Sequence, residues 1–139
     1  MNYLQPATLD KPIKILLVDD DEGDVLLTRK TIQKDQLNIA LDVVYDGVEA
    51  MQYLRQEDGF ENAVRPDLIL LDLNMPRKDG KTTLAEIKND DKLHSIPVVV
   101  LTTSDADKDV IKTFGLQTDH YVTKPVCRRQ FAEIVQTLS

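Results

Sequence analysis

Short apolar runs alternate along this chain with longer stretches whose apolar residues recur every three or four positions. The runs at residues 13–18, 68–71 and 98–101 are rich in β-branched and aliphatic side chains, which is typical of strands buried on both faces of a parallel sheet. Residues 39–43 place an apolar side chain at every second position, which predicts an edge strand. Residues 121–122 predict a brief fifth strand.

Helical periodicity fills the segments that follow the predicted strands. Five segments have this pattern: about residues 23–35, 48–54, 80–89, 106–114 and 127–138. The last is the clearest, because its apolar residues follow the i, i+4, i+7, i+8, i+11 spacing of one helical face. Residues 59–66 lack periodicity and predict a longer loop before the third strand. The alternation of strands and helices predicts an open, doubly wound α/β sheet.

The length of 139 residues predicts a single domain, with its core at about residues 12–138 and no output domain. Hydrophobic residues make up 42% of the chain and charged residues 29%, as in ordinary globular proteins. The sequence has neither an apolar run of membrane-spanning length nor a secretory signal pattern, so we expect a cytoplasmic protein that does not enter a membrane. Because Cys127 is the only cysteine, an internal disulfide and a cysteine-based metal site are excluded.

The net charge of −7 narrows the range of partners. A negative field repels phosphate backbones, so direct binding of nucleic acid is disfavoured. The same field is compatible with a metal cation, or with a protein partner that carries a basic patch.

Acidic residues collect where the first and third predicted strands end. Asp19, Asp20, Asp21 and Glu22 follow the first strand, and Asp72 follows the third. In doubly wound sheets the carboxyl ends of the strands meet at one edge, where ligands bind. Helix capping is one explanation of the first cluster, and a turn residue is the ordinary explanation of a lone Asp. A divalent cation with oxygen ligands, such as Mg²⁺, accounts for both groups of acids at once.

A hydroxyl group and a cationic side chain follow the last two strands. Thr102 comes first after the fourth strand and could donate a hydrogen bond to a phosphoryl oxygen, whereas Ser104 is a candidate cap of the next helix. Lys124 follows the fifth strand, and a lysine that faces carboxylates is a counter-charge and a phosphate-binding group. Together these residues are the groups that phosphoryl transfer to the carboxylate of Asp72 requires.

With these residues the chain resembles the receiver domains of response regulators, from Ile13 nearly to its end. The markers are Asp19–Asp20, residues 72–76 with Asp79–Gly80, Thr102 and Lys124–Pro125. The resemblance implies a flavodoxin-like or CheY-like fold, in which a five-stranded parallel sheet of order 2-1-3-4-5 is covered by five helices.

The resemblance also implies a role for each matching residue. Asp72 is expected to be the phosphoacceptor. Asp20 and Asp72 are expected to bind Mg²⁺ directly, together with the backbone carbonyl of Asn74, whereas Asp19 acts largely through water. Mn²⁺ or Ca²⁺ could substitute for Mg²⁺. Asn74 and Ser104 are expected to tune the rate of dephosphorylation.

The remaining implied roles concern charge balance and switching. Lys124 is expected to pair with Asp72 and then with the phosphoryl group. Thr102 is expected to move toward a phosphoryl oxygen, and Tyr121 to swing inward behind it. The peptide between Lys124 and Pro125 is expected to be cis. The surface expected to respond consists of the fourth predicted helix, the fifth strand and the last helix, and is called the readout surface below.

Residues 65–72, 101–104 and 114–125 are similar to the cyanobacterial phytochrome response regulators. This similarity implies a sensor histidine kinase of the bilin-binding, light-sensing phytochrome type as phosphoryl donor. It also implies a homodimer through the readout surface and a downstream protein of unknown identity. The chain departs from the receiver pattern at Gln117–Thr118, where a small pair is usual, and at Asp21, an added acid. These departures bear on partners rather than on chemistry.

Other classes of protein fit this sequence less well. A haloacid-dehalogenase-type phosphatase needs a second acid two residues after its nucleophile, where this chain has Asn74. A nucleotide-binding domain needs a glycine-rich loop after its first strand. A calcium loop that began at Asp19 would have Asp24 at its obligatory glycine and Lys30 at its bidentate acid. The remaining alternative is an interaction module that no longer accepts phosphate, which would be expected to lack the acid, the hydroxyl or the lysine.

Overall fold

Strands and helices alternate in the part of the chain that the structure describes. This computed structural model describes residues 12–34, 39–73, 80–102, 120–123 and 128–137. Its elements are, in chain order, β1 (Ile13–Val18), α1 (Glu22–Lys34), β2 (Ile39–Val44), α2 (Gly47–Arg55), β3 (Leu68–Asp72), α3 (Gly80–Asn89), β4 (Val98–Thr102), β5 (His120–Thr123) and α4 (Arg128–Thr137). The helix predicted at residues 106–114 lies outside the described residues. No helix within the described ranges is long and apolar enough to cross a membrane.

The strands form one sheet in which every pair of neighbours is parallel, in the order β2-β1-β3-β4-β5. The chain runs outward in one direction from β1 to β2, then crosses back to β3 and continues in the other direction. The winding therefore reverses between β1 and β3, which is where doubly wound sheets bind ligands. The predicted parallel α/β architecture is confirmed. All strands end at the same edge, which we call the carboxyl edge.

Helices cover both faces of the sheet. On one face Leu16, Ile69 and Val100 pack in a cluster with side chains of α2 and α3. On the other face Leu17 and Leu70 pack in a second cluster with side chains of α1 and α4. Every residue of β3 and β4 is buried, as expected for strands covered on both faces. β2 is mostly half-buried and lies at an edge of the sheet, the position that its alternating sequence predicted.

Local hydrogen bonds set the bounds of α2. Asp46 caps its start, because the Oδ1 of Asp46 accepts a hydrogen bond from the N–H of Glu49 at 2.9 Å. The Oε1 of Glu49 in turn accepts from the N–H of Tyr45 at 2.7 Å, a reciprocal arrangement close to a capping box. The helix ends at Arg55 because Gln56 adopts a left-handed conformation with φ of 59°. The end of β2 is thereby joined rigidly to the helix that follows it.

Candidate functional site

Asp19 and Asp72 lie side by side at the carboxyl edge, where the winding of the sheet reverses. The register of β1 and β3 places Val18 opposite Leu71. The next residue on each strand therefore also faces its neighbour, at about the 4.8 Å spacing of adjacent strands. The N–H of Asp19 donates to the carbonyl of Val44 at 3.1 Å, which continues the β1–β2 ladder past the end of β1. Asp19 is thus held on a fixed backbone.

Three carboxylates meet at this point. Asp19, Asp20 and Asp72 each offer one oxygen, and these oxygens lie within 4.8 Å of one another. Asp19 and Asp72 are only 1% and 2% exposed, whereas Asp20 is exposed. Two unit charges 4 Å apart repel by about 1 kcal/mol in water, and by several times as much where the effective dielectric constant is lower. The cluster therefore favours the binding of a cation.

The donor set fits a hard divalent cation. Within the part of the chain that the structure describes, this group consists of carboxylates alone, and oxygen ligands are those that Mg²⁺, Mn²⁺ and Ca²⁺ prefer. Two of the acids are buried, whereas Asp20 is exposed to water. Mg²⁺ suits such a site because it usually retains several water ligands. The structure thus brings together the three acids predicted as metal ligands.

The turn after β1 is closed by hydrogen bonds that begin at Asp19. The Oδ1 of Asp19 accepts from the N–H of Asp21 at 2.9 Å. Asp21 is the N-cap of α1, because its Oδ1 accepts from the N–H of Asp24 at 3.1 Å and its carbonyl accepts from the N–H of Val25 at 3.0 Å. From the sequence, helix capping is one explanation of the acids at residues 19–22, but it is not assigned to Asp21. Its place directly before a helical segment is the signal that could have identified the cap.

The start of α3 contacts the backbone that carries Asp72. The N–H of Gly80 donates to the carbonyl of Leu73 at 3.0 Å. A Cβ at position 80 would overlap the carbonyl oxygen of Asp72 and the Cα of Leu73, so only a glycine allows this approach. Gly80 is a marker of the resemblance, but no periodic pattern predicts its contact with the backbone of Asp72 and Leu73.

Thr102 reaches the same edge on β4. It is the last residue of that strand and is fully buried. The register of β3 and β4 places Asp72 opposite Leu101, so Thr102 lies one residue farther along than Asp72. Tyr121 lies in β5, with its Cα paired with that of Val100. The predicted hydroxyl residue is therefore at the edge that carries the acids, and Tyr121 is on the neighbouring strand.

Four predicted site residues lie outside the described residues: Asn74, Ser104, Lys124 and Pro125. Their predicted roles stay predictions, as does the cis peptide between Lys124 and Pro125. β5 ends at Thr123, which directly precedes Lys124 in the sequence.

Comparison with protein families gives one match that spans most of the chain. The model of the response regulator receiver domain matches residues 15–136. The response regulator Rcp1 of Synechocystis sp. (strain PCC 6803) is 43% identical to this chain over 125 residues, which cover 90% of this chain and 85% of Rcp1. Both matches span the acid cluster as well as the core.

Solved structures resemble this chain over the same extent. The crystal structure of the phosphorylated cyanobacterial phytochrome response regulator RcpA matches with a TM-score of 0.77 and 45% identity, covering 91% of each chain. The crystal structure of the Mn²⁺-bound form of Rcp1 matches with a TM-score of 0.76 and 42% identity, again covering 91% of each chain. The similarity therefore extends over nearly the whole chain and is not confined to one motif.

Proposed function

This chain belongs to the response regulator receiver family and is homologous to phytochrome response regulators, and we propose that it accepts a phosphoryl group on Asp72. The observation that carries this proposal is the position of Asp72. Its carboxylate is buried at the end of β3, with an oxygen within 4.8 Å of those of Asp19 and Asp20. A carboxylate can act as a covalent acceptor when the charges of donor and acceptor are neutralised around it.

The proposed cofactor is Mg²⁺, for which Mn²⁺ or Ca²⁺ could substitute. Asp20 and Asp72 would bind it directly, together with the backbone carbonyl of Asn74, and Asp19 would act largely through water. The clustered oxygen donors support this set, and the Mn²⁺-bound form of Rcp1 shows that a relative takes a divalent metal. When bound, the cation would neutralise charge on the oxygens of the phosphoryl group during its transfer.

Asp72 would act as the nucleophile. One of its carboxylate oxygens forms a new bond to phosphorus, while the bond from phosphorus to the nitrogen of a donor phosphohistidine breaks. The electron pair of that bond stays on the imidazole nitrogen. Attack by water on the phosphorus of the aspartyl phosphate later releases inorganic phosphate and restores Asp72. Asn74 and Ser104 would tune the rate of this second step.

Lys124, Thr102 and Tyr121 would complete the site. The ammonium group of Lys124 would pair first with Asp72 and then with a phosphoryl oxygen. The hydroxyl of Thr102 would donate to another phosphoryl oxygen, and Tyr121 would move inward behind it. The burial of Thr102 at the carboxyl edge supports its part in this switch. Phosphoryl transfer would thus change the local charge and shift an equilibrium between two arrangements of β4 and β5.

The proposed donor is a sensor histidine kinase, and homology favours one of the phytochrome type. We propose that it docks on α1 and on the residues that follow Lys124. α1 carries two exposed leucines, Leu26 at 52% and Leu27 at 49% exposure. Apolar side chains that remain in water on a helix next to the acid cluster are suited to a protein partner.

The proposed output is a protein–protein contact through the readout surface. Movement of Thr102 and Tyr121 would alter this surface, which would pair with a second copy of the chain or with a downstream protein. The net charge of −7 argues against nucleic acid as the direct target.

Intact mass spectrometry after incubation with acetyl phosphate and Mg²⁺ tests the phosphoacceptor role. We expect one added phosphate on the wild-type protein, none on Asp72→Asn and none when EDTA is present. An unchanged mass of folded wild-type protein that binds Mg²⁺ would contradict the role. That result would favour an interaction module that does not accept phosphate.

A further inference from the structure

The cap of α1 is connected directly to the acid cluster through Asp21. The N–H of Asp21 donates to the Oδ1 of Asp19, and the Oδ1 of Asp21 accepts from the N–H of Asp24. The backbone of Asp21 is therefore bonded to a residue of the site, and its side chain is bonded to the helix. A contact that holds Asp21 in its capping position therefore also holds its N–H, which donates to the carboxylate of Asp19.

The helix on which this cap rests is firmly packed. Val25, Thr28 and Ile32 are buried along one face of α1, and the helix contributes to the same core cluster as α4. A Cβ at Gly23 would lie 3.1 Å from the Oδ1 of Asp21, so a larger side chain there would press on the capping carboxylate. The cap thus links the turn to a part of the molecule that has little freedom to move.

Asp20 lies between two residues whose backbones are held. On one side the N–H of Asp19 bonds to the carbonyl of Val44, and on the other side Asp21 forms the cap. Since Asp20 is exposed, the direction of its carboxylate depends on the backbone of this turn rather than on surrounding core. Loss of the cap would release the turn at one of its two ends.

We infer that Asp21 is a positioning residue for the cation site, because its bond to Asp24 fixes the turn that directs the carboxylates of Asp19 and Asp20 toward Asp72. This inference rests on the proposed function, in which the cation is Mg²⁺. Asp21 is absent from the carboxylate group that meets at the site, and its Oδ1 is used by the cap. Its effect on the cation is therefore exerted through the turn.

Three variants separate the cap from the charge of Asp21. Asp21→Asn and Asp21→Ser remove the charge but keep a capping oxygen, whereas Asp21→Ala removes both. Because all three lose the same charge, a difference in Mg²⁺ affinity between them isolates the cap. We expect Asp21→Ala to bind Mg²⁺ about fivefold more weakly than Asp21→Asn or Asp21→Ser, the equivalent of one cap bond. Isothermal titration calorimetry with Mg²⁺, repeated with Mn²⁺, measures this ratio.

A second readout and a matched control distinguish positioning from general stability. In the metal-free protein, hydrogen exchange at the amides of Asp21 and Asp24 should be faster in Asp21→Ala than in Asp21→Asn. Asp46→Ala removes the equivalent cap of α2, where the N–H of Glu49 bonds to Asp46. Because Asp46 is buried and Asp21 is exposed, it should destabilise the fold at least as much, and it should leave Mg²⁺ affinity unchanged.

Each result bears on a different statement. Equal Mg²⁺ affinity of Asp21→Ala and Asp21→Asn would overturn this inference while leaving the phosphoacceptor role intact. If Asp46→Ala lost as much Mg²⁺ affinity as Asp21→Ala, the effect of Asp21 would be one of general stability. That result would also overturn the inference. If the wild-type protein bound neither Mg²⁺ nor Mn²⁺, both the proposed metal site and this inference would fall.

Discussion

Acidic side chains have different neighbours at the carboxyl edge and in a second region of this protein. The second region, which we call the basal network, joins β1, β2, α2 and the segment before β3 through Lys14, Asp42, Tyr53 and Asp67. There the Oδ2 of Asp42 accepts from the hydroxyl of Tyr53 at 2.5 Å and lies 3.6 Å from the Nζ of Lys14. Asp67 accepts from the N–H of Lys14 at 2.9 Å. Each acid of the basal network thus has a donor.

At the carboxyl edge the Oδ1 of Asp19 also accepts from a donor, the N–H of Asp21, but each carboxylate there has two other carboxylates as neighbours. Asp19 and Asp20 directly follow β1, Asp72 is the last residue of β3, and the parallel topology brings them together. Pairing an acid with a donor contributes to the stability of the fold. Grouping acids opposes folding and creates an affinity for a cation. The same residue type is therefore paired with donors in one region and grouped with other acids in the other, and only the grouped arrangement suits a cation.

The loop before β3, which was expected only to be long, is also held by side-chain hydrogen bonds. The Nη1 of Arg65 donates to the carbonyl of Lys92 at 2.6 Å, and its Nη2 donates to the Oγ of Ser95 at 3.0 Å. The side chain of Gln56 donates to the carbonyl of Ala63 at 2.7 Å. These bonds fasten the second half of the loop to Gln56 and to the segment before β4, so its length does not imply freedom of movement.

The largest expected effect on stability comes from Gly80→Ala at the carboxyl edge. The added methyl group would overlap the backbone of Asp72 and Leu73, and we expect the free energy of unfolding to fall by about 3 kcal/mol. Phosphorylation by acetyl phosphate should fall as well, since the acceptor backbone must shift. Urea denaturation and intact mass measure the two effects.

Gly59→Ala is the matched control in the loop before β3. Gly59 has a φ of 101° and no atom near its missing Cβ, so only backbone strain opposes the change, at about 1 kcal/mol. Phosphorylation should be unaffected. If Gly80→Ala accepted phosphate as readily as Gly59→Ala, the contact between α3 and the backbone of Asp72 would have no bearing on the site.

The next largest effect is expected from Asp42→Ala in the basal network. The hydroxyl of the buried Tyr53 would lose its acceptor, which should lower the free energy of unfolding by about 2 kcal/mol. The ion pair with Lys14 is partly exposed and adds little. Mg²⁺ affinity, measured by calorimetry, should not change. A loss of affinity would show that the two regions are not independent.

The basal network should also impose a dependence on alkaline pH. Burial, the hydrogen bond to Asp42 and the charge of that residue raise the pKa of Tyr53 well above its ordinary 10.0. Above pH 10 the unfolded chain therefore loses a proton that the folded protein keeps, so stability falls as the pH rises. Tyr53→Phe should show a shallower decline in chemical denaturation across this range. Identical slopes for the two proteins would contradict the shift.

The smallest expected effect on stability comes from Asp20→Asn, and it is an increase rather than a loss. Removal of one carboxylate from the cluster should raise the free energy of unfolding of the metal-free protein by about 0.5–1 kcal/mol at low salt, through relief of repulsion. The same change should weaken Mg²⁺ binding at least tenfold, since a carboxylate ligand is lost. If the metal-free variant were less stable than wild type, the grouped acids would not oppose folding, and this difference between the two regions would be lost.

Much of the fold could be predicted because burial in a parallel sheet leaves a clear pattern. β1 has the predicted bounds, since its apolar run stops abruptly at Asp19. β3 and β4 each extend one residue beyond their apolar runs, to Asp72 and Thr102. The backbone ladder does not depend on the polarity of a side chain, so a hydrophobic pattern ends before the strand does. The predicted resemblance to receiver domains is confirmed by the family match.

The acid cluster could be anticipated because topology alone brings strand ends to one edge. The cap could be anticipated only as capping by one of the acids at residues 19–22, without assigning it to Asp21. The close approach of Gly80 to the backbone of Asp72 and Leu73 could not be anticipated, since it depends on distances between atoms. The paired acid Asp42 was also missed. Its partner Tyr53 is eleven residues away, and no periodicity marks the pair.

Localisation of the phosphate within the cluster tests acceptance at Asp72 most directly. After phosphorylation with acetyl phosphate and Mg²⁺, rapid digestion and tandem mass spectrometry would show which carboxylate carries the group. We predict a modified Asp72 alone, with Asp19 and Asp20 unmodified. Phosphate found on Asp19 or Asp20, or on a residue outside the carboxyl edge, would contradict the proposed mechanism.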